Sequence, residues 1–159
     1  MADFFNFLFK AAKLFLTFSD KAYGVIPLSG QKPRKYLITL SKSNRWVFSK
    51  GHALIGENEV AAAKRELKEE TGVVVENIIP GISLNQDYTF KLWEFLPINK
   101  KVVFFVGQAK NMTVTVDHKE VKDFKWVTLD EGLKMLTFEN SKKVLTEVDV
   151  ILSEAKDLK

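Results

Sequence analysis

Three glutamates, Glu66, Glu69 and Glu70, stand at i, i+3 and i+4 in a stretch with helical apolar spacing. On a helix, that spacing gathers three carboxylates on one face within about one turn. Like charges so close repel one another. A helix built only for solubility would alternate Glu with Lys. Concentrated carboxylates suit a hard divalent cation, which takes oxygen ligands and neutralises the repulsion. Arg65 stands beside them and can hold a carboxylate by a bidentate pair. Upstream, Gly51 and Gly56 permit a tight loop whose backbone carbonyl could add a ligand. The bland alternative is a solvated acidic helix face, and spacing alone does not exclude it.

The surrounding pattern mixes strands and helices. A helix is expected over residues 57–71, with Val60, Ala63 and Leu67 as its buried stripe and Gly72 as a C-cap. Residues 21–28, 34–41, 45–49, 73–79 and 124–127 read as strands. Residues 88–96 and 101–109 read as a hairpin across Pro97-Ile98-Asn99-Lys100, and residues 129–136 and 140–156 as helices. This order implies an α/β fold of α+β type: an α/β/α sandwich with a mixed β-sheet between helices. At 159 residues the chain suits one compact domain, with residues 20–159 as that domain. Zero cysteines exclude a disulfide scaffold and any Cys-ligated metal, and two histidines leave little for a His-based centre. Cysteine-free sequence suits a cytoplasmic address. A net charge of +4 is too small to imply stable nucleic-acid binding but favours a polyphosphate.

Residues 1–19 differ from the rest. Six of the thirteen phenylalanines fall there, on the broad apolar face of an expected amphipathic helix whose narrow polar arc carries Asp3, Lys10 and Lys13. The segment is too short and too charged to span a bilayer, and it lacks the pattern of a signal peptide. It is expected to dock on its own domain or on a second copy, giving a homodimer. A weak interfacial membrane contact is the alternative.

Read as a whole, Gly51, five residues, Glu57, seven residues, then Arg65-Glu66-Leu67-Lys68-Glu69-Glu70-Thr71-Gly72-Val73 resembles the Nudix box, with every specified position filled. Chance occurrence is on the order of one in ten million at ordinary residue frequencies. The resemblance extends over roughly residues 21–156 and leaves out the N-terminal helix. It implies a Nudix fold and cleavage of a phosphoanhydride in a nucleoside diphosphate linked to another moiety, with Mg²⁺ (Mn²⁺ as a substitute) as cofactor. Carried over position by position, Glu66, Glu69, Glu70 and the Gly51 carbonyl would be metal ligands. Glu57 would act through water, and Arg65 would orient the carboxylates. Glu66 is the first candidate for general base. Glu120 is the second, because several family members place a further Glu about six residues before a Trp, here Trp126.

The segment Trp46-Val47-Phe48-Ser49-Lys50-Gly51-His52 resembles the Trp-x-Phe-Pro-Lys-Gly-His of the asymmetrical diadenosine tetraphosphate hydrolases. Lys101-Val102-Val103-Phe104-Phe105 and the pair Thr137-Phe138 with Lys143-Val144-Leu145 are similar to two further stretches of that subgroup. The resemblance implies hydrolysis of a small-molecule nucleotide, diadenosine tetraphosphate, to ATP and AMP. Lys50, His52 and Lys101 would contact phosphates, and Tyr88 would stack on adenine. Ser49 stands where the subgroup usually has Pro, and Phe104-Phe105 brings no tyrosine hydroxyl. Other nucleoside triphosphates, a nucleotide sugar or the 5′ end of RNA are alternative substrates, and a non-catalytic nucleotide-binding module is the reading from another class. Trp46, Phe48, Phe104 and Phe105 also suit an ordinary strand core, and His118 an exposed loop.

Overall fold

A computed structural model describes residues 18–92 and 96–157 of the chain. The expected helix over residues 1–19 lies outside the described residues, except that Phe18 and Ser19 already belong to a strand. The strands are β1 (Phe18–Leu28), β2 (Tyr36–Ser41), β3 (Trp46–Val47), β4 (Lys50–Gly51), β5 (Val75–Leu92), β6 (Leu96–Ala109) and β7 (Val121–Val127). The helices are α1 (Glu59–Thr71), α2 (Leu129–Met135) and α3 (Glu139–Asp157). The main path of the sheet runs β3-β2-β1-β6-β5, with β4 paired to β1 and β7 to β2. β1 and β6 run parallel and the other pairs antiparallel, so the sheet is mixed as expected.

Alternation along the strands divides the core in two. Ala22 and Ile26 of β1, Tyr36 and Ile38 of β2, and Val102, Phe104 and Val106 of β6 face Leu136, Val144, Leu145 and Val148 beneath α2 and α3. Tyr23, Val25, Leu37 and Val103 face Ala62, Ala63 and Leu67 of α1. Ala62 and Ala63, both fully buried, let α1 lie close on the sheet. Helices therefore cover both faces. Among the described residues no helix is long and apolar enough to cross a membrane.

α1 starts two residues later than expected. Asn58 is the N-cap, its Oδ1 accepting from Ala61 N at 2.8 Å, so Glu57 lies just outside the helix. Gly72 ends it in the left-handed region at φ 69°, as its C-cap position predicts.

The expected hairpin is wrong in its turn. Residues 97–100 are not a loop but part of β6, where Pro97 pairs with Lys91 and Lys100 with Tyr88. Pro near the beginning of a strand loses no ladder bond that matters there. β5 is also longer than the sequence suggests. Pro80-Gly81 reads as a break, yet the chain absorbs it through register shifts before Ser83, with Gly81 at φ 76°.

Candidate active site

Arg65 sits at the centre of the carboxylates. Its Nε and Nη2 donate to the two oxygens of Glu57 at 3.0 and 2.9 Å. Nη1 donates to Glu66 Oε1 at 2.8 Å and to Glu69 Oε2 at 3.0 Å, and Nη2 also reaches the His52 carbonyl at 2.8 Å. Hydrogen bonds from Arg65 and from the Leu54 N–H hold the Glu57 carboxyl below its usual value. Glu66 is next to Arg65 and Glu69 is four residues on along α1, and the loop before the helix folds Glu57 back on its first turns, so one guanidinium collects three acids.

Gly51 meets this cluster from the sheet. A Cβ added there would lie 2.1 Å from Glu66 Cδ, so the carboxyl occupies the space that any other residue would fill. Gly24 has a similar role one strand away, where an added Cβ would meet the Ser49 carbonyl at 2.4 Å. Glu70 is pushed up to about 7 by burial; Ser49 and Lys50 pull the value down, and the charges of Glu120 and Glu66 raise it. Ser49 Oγ is buried without a well-aligned hydrogen bond among the described residues. Burial lowers the Lys50 ammonium, Glu70 counters this, and Lys100 reinforces it.

A cavity of about 350 Å³ opens on these groups and is lined by Lys50, Gly51, His52, Glu66, Lys100 and Glu120, together with Ala53 and Leu54. Among the described residues no three carboxylates or histidines are drawn into one ligand cluster. Arg65 accounts for this, because it turns Glu57, Glu66 and Glu69 towards itself. The donor set still fits a divalent cation. The charges of Glu66 and Glu120 raise the cost of ionising Glu70, and the cradle at Gly51 holds a carboxylate against the backbone.

A second, larger cavity of about 460 Å³ lies beside the first, and Lys50 lines both. Its floor is the edge-to-face pair Phe48–Phe104, with ring centroids 5.5 Å apart. Tyr88 and Phe90, 6.3 Å apart, form one wall. Phe138, with the Arg45 guanidinium 5.4 Å from its ring centre, forms another. The residues around Trp46 and Thr137 are joined by hydrogen bonds in both directions, Trp46 N to Thr137 Oγ1 at 2.9 Å and Thr137 N to the Trp46 carbonyl at 3.1 Å. That tie seats Phe138 over the cavity.

The expected site residues thus separate into groups. Gly51, Glu57, Arg65, Glu66, Glu69 and Glu70 come together, and Lys50, His52 and Glu120 line the same small cavity. Tyr88 lines the larger one. Lys101 lines neither; its neighbour Lys100 does. Phe48 and Phe104 are both core and cavity floor, while Phe105 packs against the α1 side and His118 is exposed. Sequence reasoning missed Asp20, whose carboxylate joins His52 Nε2 and Lys100 Nζ, each at 2.7 Å. Burial raises the Asp20 carboxyl, but hydrogen bonds from Lys100 and His52 outweigh it and hold the group below its usual value. Only the parallel pairing of Asp20 with Lys100 brings these residues together, and nothing local signals it.

The NUDIX domain family model matches residues 19–148. The chain is 28% identical over 105 residues to the asymmetrical bis(5′-nucleosyl)-tetraphosphatase of Sus scrofa, covering 65% of this chain and 69% of that protein. It is 29% identical over 107 residues to the corresponding protein of Rattus norvegicus, with the same coverage. Among solved structures, it is similar to a binary complex of a C. elegans Ap4A hydrolase, with a TM-score of 0.69 and 22% identity, covering 85% of this chain and 98% of that one. The NUDIX domain of NrtR from Shewanella oneidensis, complexed with ADP ribose, gives a TM-score of 0.69 at 14% identity, covering 87% and 92%. At those identities the structures speak to the fold alone.

Proposed function

Since the chain belongs to the Nudix family and is a Nudix hydrolase, we propose that its substrate is a dinucleoside polyphosphate, diadenosine tetraphosphate, cleaved to ATP and AMP. The observation that carries this reading is the junction of two cavities at Lys50, one lined by carboxylates and cations, the other by aromatic rings. A nucleoside in the larger cavity would run its phosphates past Lys50 into the smaller one. The names of the relatives from Sus scrofa and Rattus norvegicus support the same substrate.

Glu66, Glu69, Glu70 and the Gly51 carbonyl would hold a divalent cation, for which Mg²⁺ is the natural choice. When bound, the cation supplies neutralisation of phosphate charge and a more acidic water. The protein's own groups do the rest. Tyr88 and Phe138 stack on the base, which contributes roughly 1–3 kcal/mol. Lys50 and Lys100 bring positive charge to the polyphosphate, and Asp20 fixes Lys100 and His52 in place. Arg65 holds Glu66 and Glu69 in position. Glu66 Oε1 is already engaged by Arg65, whereas Glu120 forms no side-chain hydrogen bond among the described residues and lines the cavity. Glu120 is therefore the better placed base. It takes a proton from water as the water oxygen adds to a phosphorus near one end, and the bridging oxygen leaves with the other product.

Purified protein incubated with diadenosine tetraphosphate and Mg²⁺ should yield ATP and AMP in equal amounts, and chelator should stop the reaction. Background levels of both products would remove this substrate. Higher kcat/KM on a nucleoside triphosphate, with release of pyrophosphate, would replace it. Glu120→Gln should reduce kcat by roughly 10²-fold or more, with KM little changed. Wild-type kcat in this variant would return the role to Glu66.

A further inference from the structure

Five aromatic rings line the larger cavity, and stacking on them alone would be indifferent to the identity of the base. Two buried polar side chains, Gln86 and Ser141, stand among them. Gln86 lies on β5, is only 6% exposed and lines the cavity. Ser141, near the start of α3 and also buried, donates from Oγ to Gln86 Oε1 at 3.3 Å. The carbonyl end of the amide is thereby oriented towards α3. The Nε2 end has no protein partner among the described residues, and it is not sealed in, because Ser49 Oγ is the buried polar side-chain atom without one. It opens on the cavity. Burying a carboxamide with half its hydrogen bonds unmade is costly unless something else completes them.

We propose that Gln86, oriented by Ser141, reads a hydrogen-bond acceptor on the edge of the nucleobase. This rests on the nucleotide reading of the site. Gln86 and Tyr88 are two residues apart on one strand and so share a face of the sheet, about 7 Å apart. A base lying on the Tyr88 ring turns its edge towards the Gln86 amide. Ser141 holds Oε1 on its own side, so the amide turns its N–H end to the cavity, a match for a purine ring nitrogen or a keto oxygen. Gln86 is a specificity residue: it touches the base, remote from the reacting phosphorus.

The test uses the full chain and two probes. Hydrolysis of diadenosine tetraphosphate with Mg²⁺ gives kcat and KM, and calorimetric titration of AMP into metal-free protein gives Kd. Gln86→Leu keeps the volume and removes the donor. It should raise KM and the AMP Kd about fivefold to tenfold, the worth of one neutral hydrogen bond, with kcat within about twofold. Gln86→Glu sets an acceptor against an acceptor and should raise both further. Ser141→Ala releases the amide and should give a smaller rise in both, which keeps the test open if either Gln86 variant folds poorly. Folded variants with wild-type KM and wild-type AMP Kd would overturn the proposal. If the wild type hydrolyses no dinucleoside polyphosphate while AMP still weakens in Gln86→Leu, the substrate reading falls and the base reading stands.

Discussion

At Gly51, the absence of a single carbon decides where a carboxylate sits. An alanine there would place its Cβ 2.1 Å from Glu66 Cδ, the far end of a flexible side chain that can swing away. Gly51→Ala should therefore fold, with a Tm shift of a few degrees, and lose at least about tenfold in kcat/KM because Glu66 is displaced. Glu69→Gln probes the same cluster differently. Its ion pair with Arg65 is solvent-exposed and adds little to stability. Thermal unfolding should barely change, while kcat should drop by at least about 10²-fold through loss of a charge-stabilising group. Asp20 makes a pH prediction. Its folded value is depressed, so its contribution to stability is present above pH 3.8 and lost as pH falls through the lower folded value. Melting curves should show Asp20→Asn less stable than the wild type at neutral pH, with the gap closing in strong acid. A gap that persists unchanged there would assign the effect to something other than this carboxylate.

α1 is the element most readable from the chain, because everything that defines it is local. Asn58 and Gly72 fix its ends; Ala63 and Leu67 are buried as expected, whereas Val60 is only half-buried and Ala62 is buried in its place, and the same stretch holds Arg65 and its acids. Asn58→Ala removes the bond to Ala61 N and should cost about 1 kcal/mol, read from urea unfolding. β5 and β6 were less readable. Pro80-Gly81 and Pro97 carry turn chemistry, and only pairing between long strands overrides it. The resemblance over Lys101–Phe105 implied that Lys101 faces phosphate. In the extended β6, alternation separates Lys101 from Lys100, and it is Lys100 that lines the cavity. Asp20 and Gln86 escaped notice for a related reason: each gains its meaning from a partner on a distant element, Lys100 or Ser141.

For the whole molecule, the mixed sheet with helices on both faces followed from the order of elements, whereas the parallel β1–β6 pairing at its centre did not. The proposed cation site would tie stability to ligand. Mutually repelling acids at one cavity mean that Mg²⁺ should stabilise the native state, by about 2.7 kcal/mol at a hundredfold excess over Kd. A Tm rise of roughly 5–10 °C on adding Mg²⁺, reversed by chelator, is the expected outcome. An unchanged Tm across a wide Mg²⁺ range would mean that no cation binds there. The central pairing also bears on synthesis. Asp20 leaves the ribosome early and Lys100 much later, and the strands that carry them must lie side by side before either can serve the site. A nascent chain that has delivered only the acidic helix would still lack Lys100, so the site proposed for the polyphosphate would stay incomplete until β6 has been made.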